Sequence, residues 1–202
     1  MDTMDERLLV ALHHEREGRR LDAQNELESI LASEPGHVLA NHALGSLFFH
    51  QGRLEKAIDC YQLALYFAPR FALGYYDLGV AWYHRGNMLE AAAAFRRCLS
   101  IEPEYKAAHY RLALSLFHAG RLDEAMEHFR NAVIHTPEYL MAHYHMGVIY
   151  ERRGDLVPAM REFQKSVDEG FLEVSSLHHL AKLRKEQAEV RSADPHMERI
   201  DE

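Results

Sequence analysis

Pro35, Pro69, Pro103 and Pro137 stand 34 residues apart. Two further series keep the same step: Gly18, Gly52, Gly86, Gly120 and Gly154, and Ala23, Ala57, Ala91, Ala125 and Ala159. Three residue types held in one phase over four or five copies do not arise by chance, and a fixed period of this length marks a repeat architecture. Each copy is then one small supersecondary unit that buries its apolar face only by stacking on its neighbours.

Written from Val38, Ala72, Lys106 and Leu140, each copy holds two amphipathic runs of helical length. In the second copy the first run, VLANHALGSLFFHQ, sets Leu44, Leu47 and Phe48 at i, i+3 and i+4. Gly52 follows just past its end, where a left-handed backbone costs least. The second run, LEKAIDCYQLALYFA, stops before Pro69, which disfavours a helical conformation in the residue preceding it. No sustained period-two alternation occurs, so the expected fold is all-α.

These residues resemble the tetratricopeptide repeat (TPR) family, a 34-residue helix–turn–helix unit. The third copy carries the pattern as Tyr75, Leu78, Gly79, Trp82, Gly86, Ala91, Phe95 and Pro103, with Cys98 at the late alanine. The second gives Asn41, Leu44, Gly45, Phe48, Gly52, Ala57, Tyr61, Ala64 and Pro69, and the fourth His109, Leu112, Ala113, Leu116, Gly120, Ala125, Phe129, Ala132 and Pro137. The outer copies depart more: the first has Val10, Ala11 and His14 in its first run, and the fifth has Phe171 where the proline belongs. The resemblance implies a right-handed α-solenoid of stacked antiparallel helix pairs. Its repeats run over about 4–37, 38–71, 72–105, 106–139 and 140–173, with a capping helix at 174–190, all in one domain spanning 1–190. Gly45, Gly79, Ala113 and Gly147 are expected to let each first helix approach its own second helix. The cap is expected to turn Leu177, Leu180, Ala181 and Leu183 inward. Residues 191–202 hold too few apolar groups to pack and are expected to form a mobile tail.

Composition limits what such a stack could do. The chain has 202 residues, 48% hydrophobic and 27% charged, with a formal charge of −8, so nucleic acid is not the expected partner. Two cysteines cannot make a disulfide framework, which points to a reducing compartment. The opening MDTMDERLLV is acidic where a secretory leader needs a basic stretch, and no run approaches the roughly 18 unbroken apolar residues of a membrane span. A cytoplasmic location without membrane insertion is expected.

In the TPR family the second, fifth, ninth and twelfth positions of each repeat line the concave face. Here they are Leu39, His42, Ser46 and Phe49; Leu73, Tyr76, Val80 and Tyr83; Ala107, Tyr110, Leu114 and Phe117; and Met141, Tyr144, Val148 and Glu151. The fifth position thus sets a ladder of Tyr76, Tyr110 and Tyr144, and the twelfth sets Phe49, Tyr83 and Phe117. An open apolar strip of this kind marks an interaction site, for which tyrosine supplies rigid contact area and a hydroxyl. Ordinary packing between adjacent first helices is the competing reading. The family's carboxylate clamp needs Lys and Asn at the fifth and ninth positions and is missing. The asparagine ladder of the GlcNAc transferases is missing too, since the sixth position reads Ala43, Asp77, Arg111 and His145. What remains suits an amphipathic helix or an extended apolar segment, oriented by Asp77 and Arg111.

Fifteen histidines include His50, His84 and His118 at the thirteenth position of successive repeats. Ligands one repeat apart are too distant for a single ion, so no metal site is expected. A pH-responsive groove and plain tolerated duplication both fit the pattern. No GxxxxGK[ST], GxGxxG, HExxH or GxSxG occurs. The expected protein is a non-catalytic adaptor without cofactor that binds a partner segment in the groove. A self-assembling homo-oligomeric scaffold, suggested by Leu8, Leu9 and Leu12, and an accessory subunit of a larger enzyme or of a secretion or assembly complex are the alternatives.

Overall fold

Eleven helices and no strand occupy the residues described by the computed structural model, 4–135, 140–168 and 174–193. They are α1 (Met4–Arg16), α2 (Arg20–Ser33), α3 (Val38–His50), α4 (Leu54–Phe67), α5 (Ala72–Arg85), α6 (Met88–Ile101), α7 (Lys106–His118), α8 (Leu122–His135), α9 (Leu140–Arg153), α10 (Leu156–Asp168) and α11 (Val174–Ala193). Odd-numbered helices up to α9 start where the repeats start, so α1, α3, α5, α7 and α9 are the first, or A, helices. Their partners α2, α4, α6, α8 and α10 are the B helices. None is long and apolar enough to cross a membrane among the described residues.

Two residues explain why each pair closes. Gly86 caps α5 with φ of 91°, and its N–H and the next residue's N–H turn back to the last carbonyls of the helix, Tyr83 at 3.0 Å and Trp82 at 2.9 Å. A β-carbon would strain that left-handed turn. Gly79 has a different task. A β-carbon there would stand 2.7 Å from the Phe95 ring, and one on Gly45 would stand 2.7 Å from Tyr61. The A helix therefore rests directly on the aromatic of its own B helix.

Contacts divide the chain into two compact units, Met1–Gly120 and Arg121–Glu202. In unit 1 each helix packs on its successor, and α1, α3, α5 and α7 also touch one another in series. The B helices α2, α4 and α6 make no comparable contacts among themselves. The A helices are therefore the inner row of unit 1 and the B helices the outer row. In unit 2, α8 packs on α9, α9 on α10 and α10 on α11.

The cap differs in rotation from the expected one. Leu180 and Leu183 are buried as expected, but Leu177 is 49% exposed and Ala181 is exposed. The third inward residue is Ser176, whose hydroxyl meets Ser166 at 3.3 Å. Residues 176, 180 and 183 make an i, i+4, i+7 stripe, while Leu177 and Ala181 lie one residue ahead of it. A small polar residue won the inward place because it permits close approach to α10. The helix runs to Ala193, and the rest of the expected tail lies outside the described residues.

Candidate functional site

The twelfth and thirteenth repeat positions build a continuous row of rings along the inner helices of unit 1. Phe49 of α3 touches His50 at 5.8 Å between centroids and, across the repeat boundary, His84 of α5 at 5.3 Å. His84 lies 5.9 Å from Tyr83, Tyr83 lies 5.8 Å from His118 of α7, and His118 lies 5.4 Å from Phe117. The three imidazoles are exposed, Phe49 and Tyr83 are half-buried, and Phe117 is buried. Adjacent positions on one helix diverge, so Phe49 and Tyr83 each reach the histidine of the following inner helix. The 34-residue histidine series is thereby explained as ring packing partners. Among the described residues no group of His, Cys, Asp and Glu is arranged to hold a metal.

The fifth position is more deeply engaged. The His42 ring lies 5.4 Å from Tyr61 and 5.0 Å from Phe71, and its Nε2 meets Asp77 Oδ2 at 2.7 Å. Tyr76 rests 5.7 Å from Phe95 and 5.1 Å from Tyr105. Tyr110 is only 9% exposed. In unit 2, Tyr144 lies 5.8 Å from Phe163 and 6.0 Å from His179. Fifth-position side chains thus wedge between their own B-helix aromatic and the following repeat, so this ladder is in large part packing. Burial also holds the Tyr61 hydroxyl well above the ordinary phenol range and pushes Tyr105 up to about 12.

The open part of the surface comes from other positions. Leu39 and Leu73, both at the second position, are 52% and 41% exposed, and Met141 in unit 2 is exposed as well. Val80 and Leu114 in unit 1 and Val148 in unit 2 are half-buried. Arg111 is half-buried too, and its charge acts on the Tyr83 hydroxyl: burial pushes that phenol up and Arg111 pulls it back. In unit 2 the twelfth position is Glu151, which is held by His179 Nδ1 at 2.6 Å and Lys182 Nζ at 2.8 Å. The inner row of unit 1 is therefore apolar and aromatic with Arg111 half-buried on α7, and the corresponding place in unit 2 is ionic.

One surface was missed from the sequence. Leu63, Tyr66 and Phe67 form an exposed stripe on α4, with Tyr66 at 79%, and the two rings meet edge to face at 5.1 Å. The same phases read Ser29, Ala32 and Ser33 in the first copy and Arg97, Ser100 and Ile101 in the third. Comparing copies phase by phase on the B helix, and not on the A helix alone, would have exposed this stripe. The thiols offer no nucleophile at neutral pH: burial pushes Cys60 up to about 11 and Cys98 up to about 12.

Sequence models of the tetratricopeptide repeat match residues 9–70, 62–101 and 83–129, together more than half of the chain. No curated protein matches the sequence. Several solved structures share the fold. YrrB, described as a TPR protein with an unusual peptide-binding site, is 19% identical over 86% of this chain and 89% of its own, with a TM-score of 0.79. MamA is 24% identical over 84% of this chain and 95% of its own, with a TM-score of 0.75. PilF of Pseudomonas aeruginosa is 19% identical over 96% of this chain and 92% of its own, with a TM-score of 0.73. At such identities the likeness is one of fold.

Proposed function

The chain belongs to the tetratricopeptide repeat family, and from that premise we propose that it is a non-catalytic interaction module holding a segment of a partner protein against the inner helices of unit 1. The observation that supports this most is the row of Leu39, Phe49, Leu73, Val80 and Tyr83, all of which keep solvent access on the inner helices of unit 1. Contiguous apolar surface on a soluble protein is costly to leave bare and marks an interaction site. The description of YrrB as having a peptide-binding site fits a segment-binding role for the same fold.

The test is a variant, Phe49→Ala/Tyr83→Ala, compared with wild type in titrations of the partner, after circular dichroism shows equal helicity. Affinity is expected to fall by about ten- to a hundredfold, in the range of truncated aromatic hot spots. Unchanged affinity would remove the inner row as the binding surface. Tyr110→Ala is the wrong probe, because the side chain is buried and its truncation perturbs packing first.

A second reading has its own observation. The first helix pair exposes Leu9 at 65% and Leu21 at 75%, with Val10 and Leu12 also open, whereas Leu8, expected to be exposed with them, is buried in the core. An end repeat that stays apolar can stack on another copy, which is how solenoids extend when they are not capped. Light scattering at rising concentration decides this: a mass that grows supports assembly, and a constant monomer mass ends it.

A further inference from the structure

We propose that the segment bound on the inner row of unit 1 is acidic as well as apolar, with one of its carboxylates seated on Arg111 beside Tyr83. This rests on the binding reading above and names the partner's chemistry. The protein as a whole carries −8, yet the inner helices that hold the apolar row, α3, α5 and α7, carry three cations, Arg85, Lys106 and Arg111, against the single acid Asp77. At the end of the row, α1 carries Asp5, Glu6 and Glu15 against Arg7 and Arg16. Charges beyond about 8 Å are screened at physiological salt, so the local balance decides what docks.

The side-chain pairs sharpen that balance. Asp77 is turned to His42 at 2.7 Å, with 26% of its side chain exposed, so the acid of the row is already occupied. Arg85 reaches Glu55 on α4 at 3.2 Å. Arg111 has no ion pair among the described residues, and it is half withdrawn from water near the Tyr83 hydroxyl. A guanidinium is weakly hydrated and presents a planar fork that takes a carboxylate by two parallel hydrogen bonds. A partner carboxylate there recovers interaction that the protein itself does not supply. Leu39 and Phe49 on α3 and Leu73 and Val80 on α5 ask for aliphatic or aromatic side chains elsewhere in the same segment. His84 and His118, exposed along the same ring row, offer further N–H donors.

The experiment starts from random peptides displayed on phage and panned on the full chain. Enriched peptides are synthesised in two forms, one with its Asp and Glu residues and one with Asn and Gln in their place. Both are titrated by fluorescence polarisation against wild type, Arg111→Gln and Phe49→Ala/Tyr83→Ala. The expected result is enrichment of an acidic residue together with Leu, Phe or Tyr, with Arg111→Gln and the amide peptide each losing about tenfold or more. Combining the two should lose little beyond either alone, because both remove the same pair. If the amide peptide binds as well, or Arg111→Gln binds the acidic peptide undiminished, while Phe49→Ala/Tyr83→Ala abolishes binding, the acidic partner is overturned and the binding surface stands. If the ring variant binds every enriched peptide as wild type does, the binding surface fails and the proposal falls with it.

Discussion

Replacing Phe95 with alanine is expected to destabilise the protein by about 3–5 kcal/mol, the usual range for emptying a buried phenylalanine site. Phe95 is fully buried, faces Gly79 of its own repeat and touches Tyr76. Neither neighbour can collapse into the space, since Gly79 has no side chain and Tyr76 is held by Tyr105. A second substitution shows that the ring is what makes the glycine necessary. In the wild-type background Gly79→Ala removes a flexible helical glycine, a gain of about 1 kcal/mol. It also forces a methyl to within 2.7 Å of an immovable ring, an overpacking cost of about 1–3 kcal/mol. The net effect is neutral to destabilising. In the Phe95→Ala background the clash is gone and only the gain remains, so Gly79→Ala should raise stability there. Urea unfolding of the four proteins closes the cycle. Equal effects of Gly79→Ala in both backgrounds would show that the ring does not set the identity of that position.

That coupling was legible in the sequence, because small and aromatic residues keep their phase through the copies at Gly45/Tyr61, Gly79/Phe95 and Gly147/Phe163. Periodic features survive duplication only when every copy needs them, and the helix bounds, the glycine turns and the close A–B approach are all of that kind. The inner surface was legible only in part. Position numbers identify which residues lie on the A helix, but not how far each ring sinks between the next repeat and its own B helix. Tyr110 and Phe117 are buried, while Leu39 and Leu73 are open. Nor could spacing show that Asp77 would turn to His42, since the two lie 35 residues apart and are joined by packing of successive repeats. The stripe of Leu63, Tyr66 and Phe67 escaped for the opposite reason: it occurs in one copy and leaves no period.

The outer repeats follow a rule that the inner ones do not, and it gives a prediction with a pH signature. The fourth and twenty-third positions face each other within a repeat. They are Arg7 and Glu26 in the first copy, at 3.3 Å, and His143 and Glu162 in the fifth, at 2.6 Å. In the second and third copies the same places hold Asn41 with Cys60 and Tyr75 with Ala94. The fifth-copy pair is the buried one, with side chains 6% and 13% exposed against 29% and 37% for the first. Burial alone raises the Glu162 carboxyl. Hydrogen bonds donated by His143 and Lys165 outweigh it, and the carboxyl ends below the ordinary range. A depressed carboxylate contributes stability that is complete above the unfolded value and is lost as pH falls through the folded one.

Glu162→Gln is therefore expected to cost about 1.5–3 kcal/mol near neutral pH, the range of a hydrogen bond to a charged group. The deficit should shrink as wild type is acidified below the ordinary glutamate value of about 4.3 and close once its own lowered carboxylate takes up the proton. Glu26→Gln, at the equivalent but more exposed site, should cost about 0–1 kcal/mol. Denaturant unfolding of wild type and both variants at neutral and acidic pH measures all three. Should Glu162→Gln match wild type at neutral pH, or keep its deficit undiminished in acid, the charged pair is not what ties α9 to α10. In that case the close approach of Gly147 to the Phe163 ring is left to hold the two helices together.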